Sequence, residues 1–99
     1  MKPVIFRPAA AADVEAAFGW YEDKRVGLGH EFLNVVAATQ VAVSERPESF
    51  PVIHRDARRA LVPRFPYALF YRIYVDRIVV VACMHARRHP KRWMARLDG

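Results

Sequence analysis

A single α+β domain, in the order β-α-α-β-β-β with an antiparallel sheet packed against a helical hairpin, is predicted by three observations. The first half of the chain carries apolar residues at helical spacing on either side of one glycine-rich break. The stretch 67–84 alternates or runs together aromatic and β-branched residues, as strands do. Pro47 and Pro51 bracket a rigid connector between the two halves. With 99 residues, 54% of them hydrophobic, the chain has material for one core and not two, and it is too apolar to be disordered.

Each element follows in order. Residues 3–7, Pro-Val-Ile-Phe-Arg, are apolar, β-branched and too short for a helix, so they read as a strand. Pro8 stands where a helix starts well. From Ala9 to Val26 the residues are good helix formers, and Val14, Ala17, Phe18 and Tyr21 make one apolar stripe. Gly19 is a tolerated weakness there, or a point of close packing. Gly27-Leu28-Gly29 supplies the positive φ of a helix C-cap. A second helix over about 30–45 shows Phe32, Val35, Val36, Thr39 and Val43 on one face. So short a turn makes the helices antiparallel neighbours.

The second half reads as strands. Val52 to Val62 carries four basic residues, which places one face of it in solvent. Tyr67 to Val75 is a strand, Asp76-Arg77 a turn, and Ile78 to Met84 a central strand. The polar, basic run from His85 to Trp93, interrupted by Pro90, reads as a fraying tail. The first strand joins the sheet at an edge or beside the central strand. The hairpin covers one sheet face, and the other is expected to stay open and carry arginines.

Charge is polarised along the chain. Residues 1–49 carry five basic and seven acidic groups, and residues 50–99 carry eleven basic and three acidic ones. Ten of those eleven are Arg. A basic working surface for an acidic partner, either nucleic acid or an acidic protein segment, is one reading. An arginine-rich composition inherited from genomic base content is the other. The longest uncharged apolar run, Ile78 to Met84, falls far short of the roughly 20 residues of a membrane-spanning helix. No signal-like apolar block follows the N-terminus, so a cytoplasmic location is expected. The lone Cys83 excludes a disulfide framework and cysteine-rich zinc modules.

Several motifs recur in an order that resembles a known family. They are Trp20-Tyr21-Glu22, Gly27-Leu28-Gly29 with Phe32, Arg46-Pro47 before Phe50-Pro51, Arg58-Arg59-Ala60-Leu61, and Arg64-Phe65-Pro66-Tyr67 with Tyr71. The run from His85 to Trp93 closes the set. Together they resemble the RelE/ParE superfamily of toxins from type II toxin–antitoxin modules, in the branch called plasmid-stabilisation proteins. The resemblance covers nearly the whole chain. It implies a compact α+β domain that arrests bacterial growth and is neutralised by a cognate antitoxin whose C-terminal segment wraps it. It leaves the target open. RelE-like members cut messenger RNA on the ribosome, whereas ParE-like members inhibit DNA gyrase, on one fold.

A ribonuclease of this kind needs a general base, a clamp for the phosphorane and a proton for the leaving oxygen. The basic candidates for target or phosphate binding are Arg58, Arg59, Arg64, Arg72, Arg87 and Arg88, with Trp93 as a stacking surface. His85 is the one residue near them with a suitable ordinary pKa. Strand alternation places Val81, Cys83, His85 and Arg87 on one face, so His85, Arg87 and Arg72 are candidates to converge. Arg is a poor proton acceptor, and no tyrosine follows Tyr74, which tilts the reading toward a ParE-like, non-nucleolytic toxin.

Trp20, Tyr71 and Arg87 are the candidate antitoxin contacts. Structural roles stand beside these: His85 bonded to backbone, Arg87 and Arg88 paired with Glu15, Glu22 or Asp23, Arg64 capping carbonyls, Tyr67 and Tyr71 in the core, and Trp93 closing its end. Cys83, His85 and His89 have a spacing that only superficially suits a metal, and no metal or cofactor is expected. Two further classes are a module that binds nucleic acid by its arginines alone, and a homologue that binds an antitoxin without a toxic target.

Overall fold

The computed structural model describes residues 1–98. Its elements are β1 (Val4–Phe6), α1 (Pro8–Lys24), α2 (Leu28–Glu45), a 3-10 turn (Pro47–Ser49), β2 (Val52–His54), β3 (Ala57–Leu61), β4 (Tyr67–Ile73), β5 (Ile78–His85) and α3 (Pro90–Asp98). The five strands lie in the order β1-β5-β4-β3-β2. The expected α+β class and the hairpin on the sheet are both present.

The helical hairpin is closed by its turn. Pro8 opens α1, where a missing N–H costs nothing. Gly27 takes a φ of 91°, the left-handed conformation that suits glycine. The Glu22 carboxylate accepts hydrogen bonds from the Gly27 and Gly29 amides, each at 2.9 Å. These bonds hold its pKa below the usual carboxylate range. α2 begins at Leu28, two residues before its expected start, because Gly29 is helical. A Cβ at Gly29 would sit 2.7 Å from the Phe18 carbonyl oxygen, so its lack of a side chain serves close helix packing.

Between hairpin and sheet lies the larger core, which includes Tyr21, Phe32, Val36, Val43, Leu69, Tyr71 and Val80. Phe32 sits among Tyr21, Phe65 and Tyr67, with ring centroids 5.2 to 5.4 Å away. These are edge-on and tilted aromatic contacts that add to simple burial.

The sheet differs from expectation in three ways. It is mixed: β1 pairs with β5 in parallel, Val4 opposite Ile78 and Phe6 opposite Val80. The helical hairpin returns the chain across the sheet and leaves this edge of β5 free for it. The segment 52–62 is two strands, broken at Arg55, whose φ is 54°. The tail from 85 to 93 does not fray but turns into α3. Pro90 starts that helix rather than ending a strand.

α3 covers the face expected to be open. Trp93 and Leu97, four residues apart, share one helical face and are buried. Trp93 stacks on Phe70 with centroids 4.8 Å apart and planes 17° apart. They close a second core with Ala57, Ala68, Val79, Val81 and Ala82.

Register explains a further difference. Phe70 faces Ala82 and Tyr71 faces Val80, so Val81 has no partner on β4. This bulge shifts the alternation of β5 by one residue. Val81 and Ala82 both pack toward α3, and Cys83 joins the hairpin-side core. Among the described residues, no helix is long and apolar enough to cross a membrane.

Candidate functional site

β4 and β5 end side by side, with Tyr67 directly opposite His85 and their rings 6.2 Å apart. Beyond them the chain reverses into α3, and α1 runs alongside. A cleft of about 470 Å³ opens here, lined by Asp13, Trp20 and Tyr21 of α1, Tyr67, His85, Arg88, and Arg92 of α3.

His85 is held in one chemical form. Its Nδ1 accepts the backbone N–H of Arg87 at 3.2 Å and of Arg88 at 3.1 Å. A nitrogen that accepts two hydrogen bonds carries no proton, so in the neutral ring the hydrogen sits on Nε2. Burial lowers the His85 pKa, and the charges of Arg88 and His89 push it the same way. The ring therefore offers a hydrogen-bond donor, not a proton acceptor. It bonds to backbone, as one structural reading held, but to amides instead of a carbonyl.

The acid in the cleft is occupied. Asp13 accepts the Cys83 amide at 3.0 Å and the Arg96 guanidinium at 3.0 Å. Burial is the main cause that raises the Tyr67 hydroxyl pKa, and nearby Arg88 and Arg92 pull against it. Burial likewise raises that of Tyr21, with Tyr67 and Cys83 adding to it. Arg88 and Arg92 are exposed and make no ion pair among the described residues. Trp20, 54% exposed, walls the cleft, and the Lys24 ammonium lies 4.6 Å from its ring centroid. The arrangement brings together hydrogen-bond donors and positive charge, and its carboxylate and imidazole Nδ1 already accept hydrogen bonds.

A second hollow of about 450 Å³ lies on the other side of His85, lined by Leu61, Arg64, Phe65 and Arg87 among others. Arg64 has a φ of 71° and bonds Glu31 at 3.0 Å. Glu31 also takes Arg25 at 3.0 Å, and these two guanidiniums, Arg25 first, lower its pKa. Arg64 thus links the β3–β4 loop to the hairpin. It is not a carbonyl cap. Arg87 is exposed beside it.

The other sequence-predicted residues lie apart from the cleft. Arg58 donates to the Glu48 and Phe50 carbonyls at 3.1 and 2.7 Å, closing the 3-10 turn onto β3. Arg72 bonds Asp56 at 2.8 Å and the Leu97 carbonyl at 2.6 Å, which pins the end of α3. Arg59 lies opposite Phe70, and its Nε is buried with no hydrogen-bond partner. The indole Nε1 of Trp93 is in the same position. Tyr71 is fully buried and donates its hydroxyl hydrogen to the Pro47 carbonyl. At 8% exposure, Trp93 has its ring committed to Phe70 and cannot stack on a base.

Convergence of His85, Arg87 and Arg72 does not form. Arg72 faces Val79, far along β5 from His85, and the Val81 bulge sends His85 to the opposite sheet face. Burial pushes the Cys83 thiol up to about 12, with the Asp13 charge adding to it, and the residue is inert at neutral pH. Among the described residues, no group of three metal-binding side chains occurs. Sequence reading missed Arg92. The spacing of Arg88, Arg92 and Arg96 at four-residue intervals was its signal, masked by treating the segment as a tail.

Comparison with known proteins bears on this geometry. Residues 4–90 match a family model described as the ParE toxin of the type II toxin–antitoxin system, parDE. Among solved structures, one titled as the chromosomal ParDE system from P. aeruginosa superposes with a TM-score of 0.65 and 18% identity. The alignment covers 86% of this chain and 96% of that one, a likeness of fold. No curated protein matches the sequence.

Proposed function

The chain belongs to the ParE toxin family of type II toxin–antitoxin systems, and from that premise we propose that, freed of its antitoxin, it arrests growth in the cytoplasm by inhibiting DNA gyrase, without cutting RNA. The observation that carries this reading is the state of His85. Its Nδ1 is taken by two backbone amides, so its remaining nitrogen is a donor. Cleaving RNA at the 2′-hydroxyl requires a group that accepts a proton, and the arginines around it cannot. Arg88 and Arg92 would suit a phosphorane clamp, but a clamp alone does not make a nuclease.

The same surface supports the antitoxin reading. Trp20 and Arg87 are exposed and available to a partner, and acidic antitoxin side chains would meet the arginines of the C-terminal turn. Tyr71 has no surface to offer and acts through the core.

The purified chain, added to gyrase and relaxed plasmid with ATP, tests the target. Loss of supercoiling is the expected result. Full supercoiling, with cleavage of ribosome-bound message by the same preparation, would overturn it.

A further inference from the structure

We propose that the cleft between α1, the ends of β4 and β5, and α3 is an oxyanion site for the terminal phosphate monoester of a nucleotide. The argument rests on its donors, its charge and its wall.

Donors reach the cleft from several elements. Tyr67 stands on β4, His85 ends β5 with its Nε2 hydrogen free, Arg88 follows in the turn, and Arg92 projects from α3. Donors arriving from separate elements suit a tetrahedral group with three terminal oxygens better than a planar carboxylate, which takes its partners near one plane. Arginine adds paired N–H donors at phosphate spacing.

Charge points the same way. Asp13 is ion-paired with Arg96 and bonded to the Cys83 amide, which blunts its opposition to an anion. Arg88 and Arg92 are left as two uncompensated positive charges, matching the dianion of a monoester. The backbone bonds to Nδ1 keep His85 a donor, so its ring turns no acceptor lone pair to the phosphate. Trp20 gives the cleft an aromatic wall. A volume of about 470 Å³ exceeds one carboxylate or one phosphate and falls within the range of small-molecule sites. It leaves room for the ring of a nucleoside along Trp20.

Titration calorimetry on the purified chain tests this with adenosine 5′-monophosphate, inorganic phosphate, adenosine, and a short glutamate-rich peptide. The monophosphate should bind tightest, phosphate about tenfold more weakly, and adenosine weakest. Arg88→Gln and Arg92→Gln should each weaken the monophosphate about tenfold, while Arg46→Gln, on an exposed arginine ending α2, should leave it unchanged. An equal loss in R46Q would reduce the site to bulk charge and overturn the proposal. So would monophosphate binding no tighter than adenosine, phosphate binding as tight as the monophosphate, or tighter binding of the peptide.

Two sources carry the group. A single-stranded oligonucleotide with a 5′-phosphate, compared with its unphosphorylated form, separates them. Tighter binding of the phosphorylated strand assigns the site to strand ends, and equal binding of the two assigns it to free nucleotides.

Discussion

Two backbone amides on one imidazole nitrogen decide what His85 can do. The ring should titrate below the ordinary histidine range, with burial as the main cause. An NMR titration should find the Nε2–H tautomer at neutral pH; a Nδ1–H ring would contradict the assignment of His85 as a donor. The sign of the stability effect follows. Between the ordinary histidine pKa and the lower folded value, the unfolded chain binds the proton more readily. Stability therefore falls as pH drops through that window. Cys83 makes a second residue-scale prediction. With its thiol pushed up to about 12, it should resist alkylation at pH 8 in the native chain and react once denatured. Gly29→Ala places a Cβ against the Phe18 carbonyl and should cost about 1–3 kcal/mol in denaturant unfolding. A neutral effect would mean that the hairpin has slack there. Residue identity made the inertness of Cys83 and the donor-rich character of the surface legible in the sequence. It could not tell which arginines were free. Arg58 and Arg72 look like Arg88 in a sequence and differ only in the carbonyls and carboxylate that fold against them.

Among the elements, the hairpin was the most legible. Its stripe, its glycine turn and its flanking prolines all agree on one structure, and agreement across levels is what makes a segment readable. The two failures have physical causes. Period-2 alternation predicts strand faces only while pairing is regular, and one unpaired residue at Val81 inverts everything after it. No local residue type announces that bulge. α3 was hidden because its apolar residues are few and its basic ones many, so it reads as tail until Trp93 and Leu97 find the sheet. Removing one of these anchors should show how much holds it. Leu97→Ala should destabilise the fold by about 2–5 kcal/mol, with amide exchange in α3 rising most. An unchanged midpoint would mean that α3 contributes little to the core. The exposed contact of Asp98 with Arg55 and His54 adds a small pH-dependent hold. Those hydrogen bonds, Arg55 first, lower the Asp98 pKa. The hold is present above the ordinary aspartate range and is lost as pH falls through the lower folded value. Exchange in α3 should therefore quicken under acid.

At the scale of the whole molecule, the separation of an acidic first half from a basic second half becomes spatial. The hairpin supplies acids that fix the frame: Asp13 to Arg96, and Glu31 to Arg25 and Arg64. Of the arginines left over, Arg87, Arg88 and Arg92 gather at one end, around the reversal from β5 into α3. The charge count alone overstated that surface, because fold-internal pairs remove Arg55, Arg64, Arg72, Arg77 and Arg96 from it. What remains is a basic end with an aromatic wall where backbone amides hold His85 as a donor, which suits binding better than bond cleavage. Inducing the chain alone in a bacterial host and mapping transcript 5′ ends across several messages tests that distinction most directly. Growth arrest with intact messages is the result predicted. New 5′ ends inside translated codons would contradict it and return the cleft to RNA chemistry.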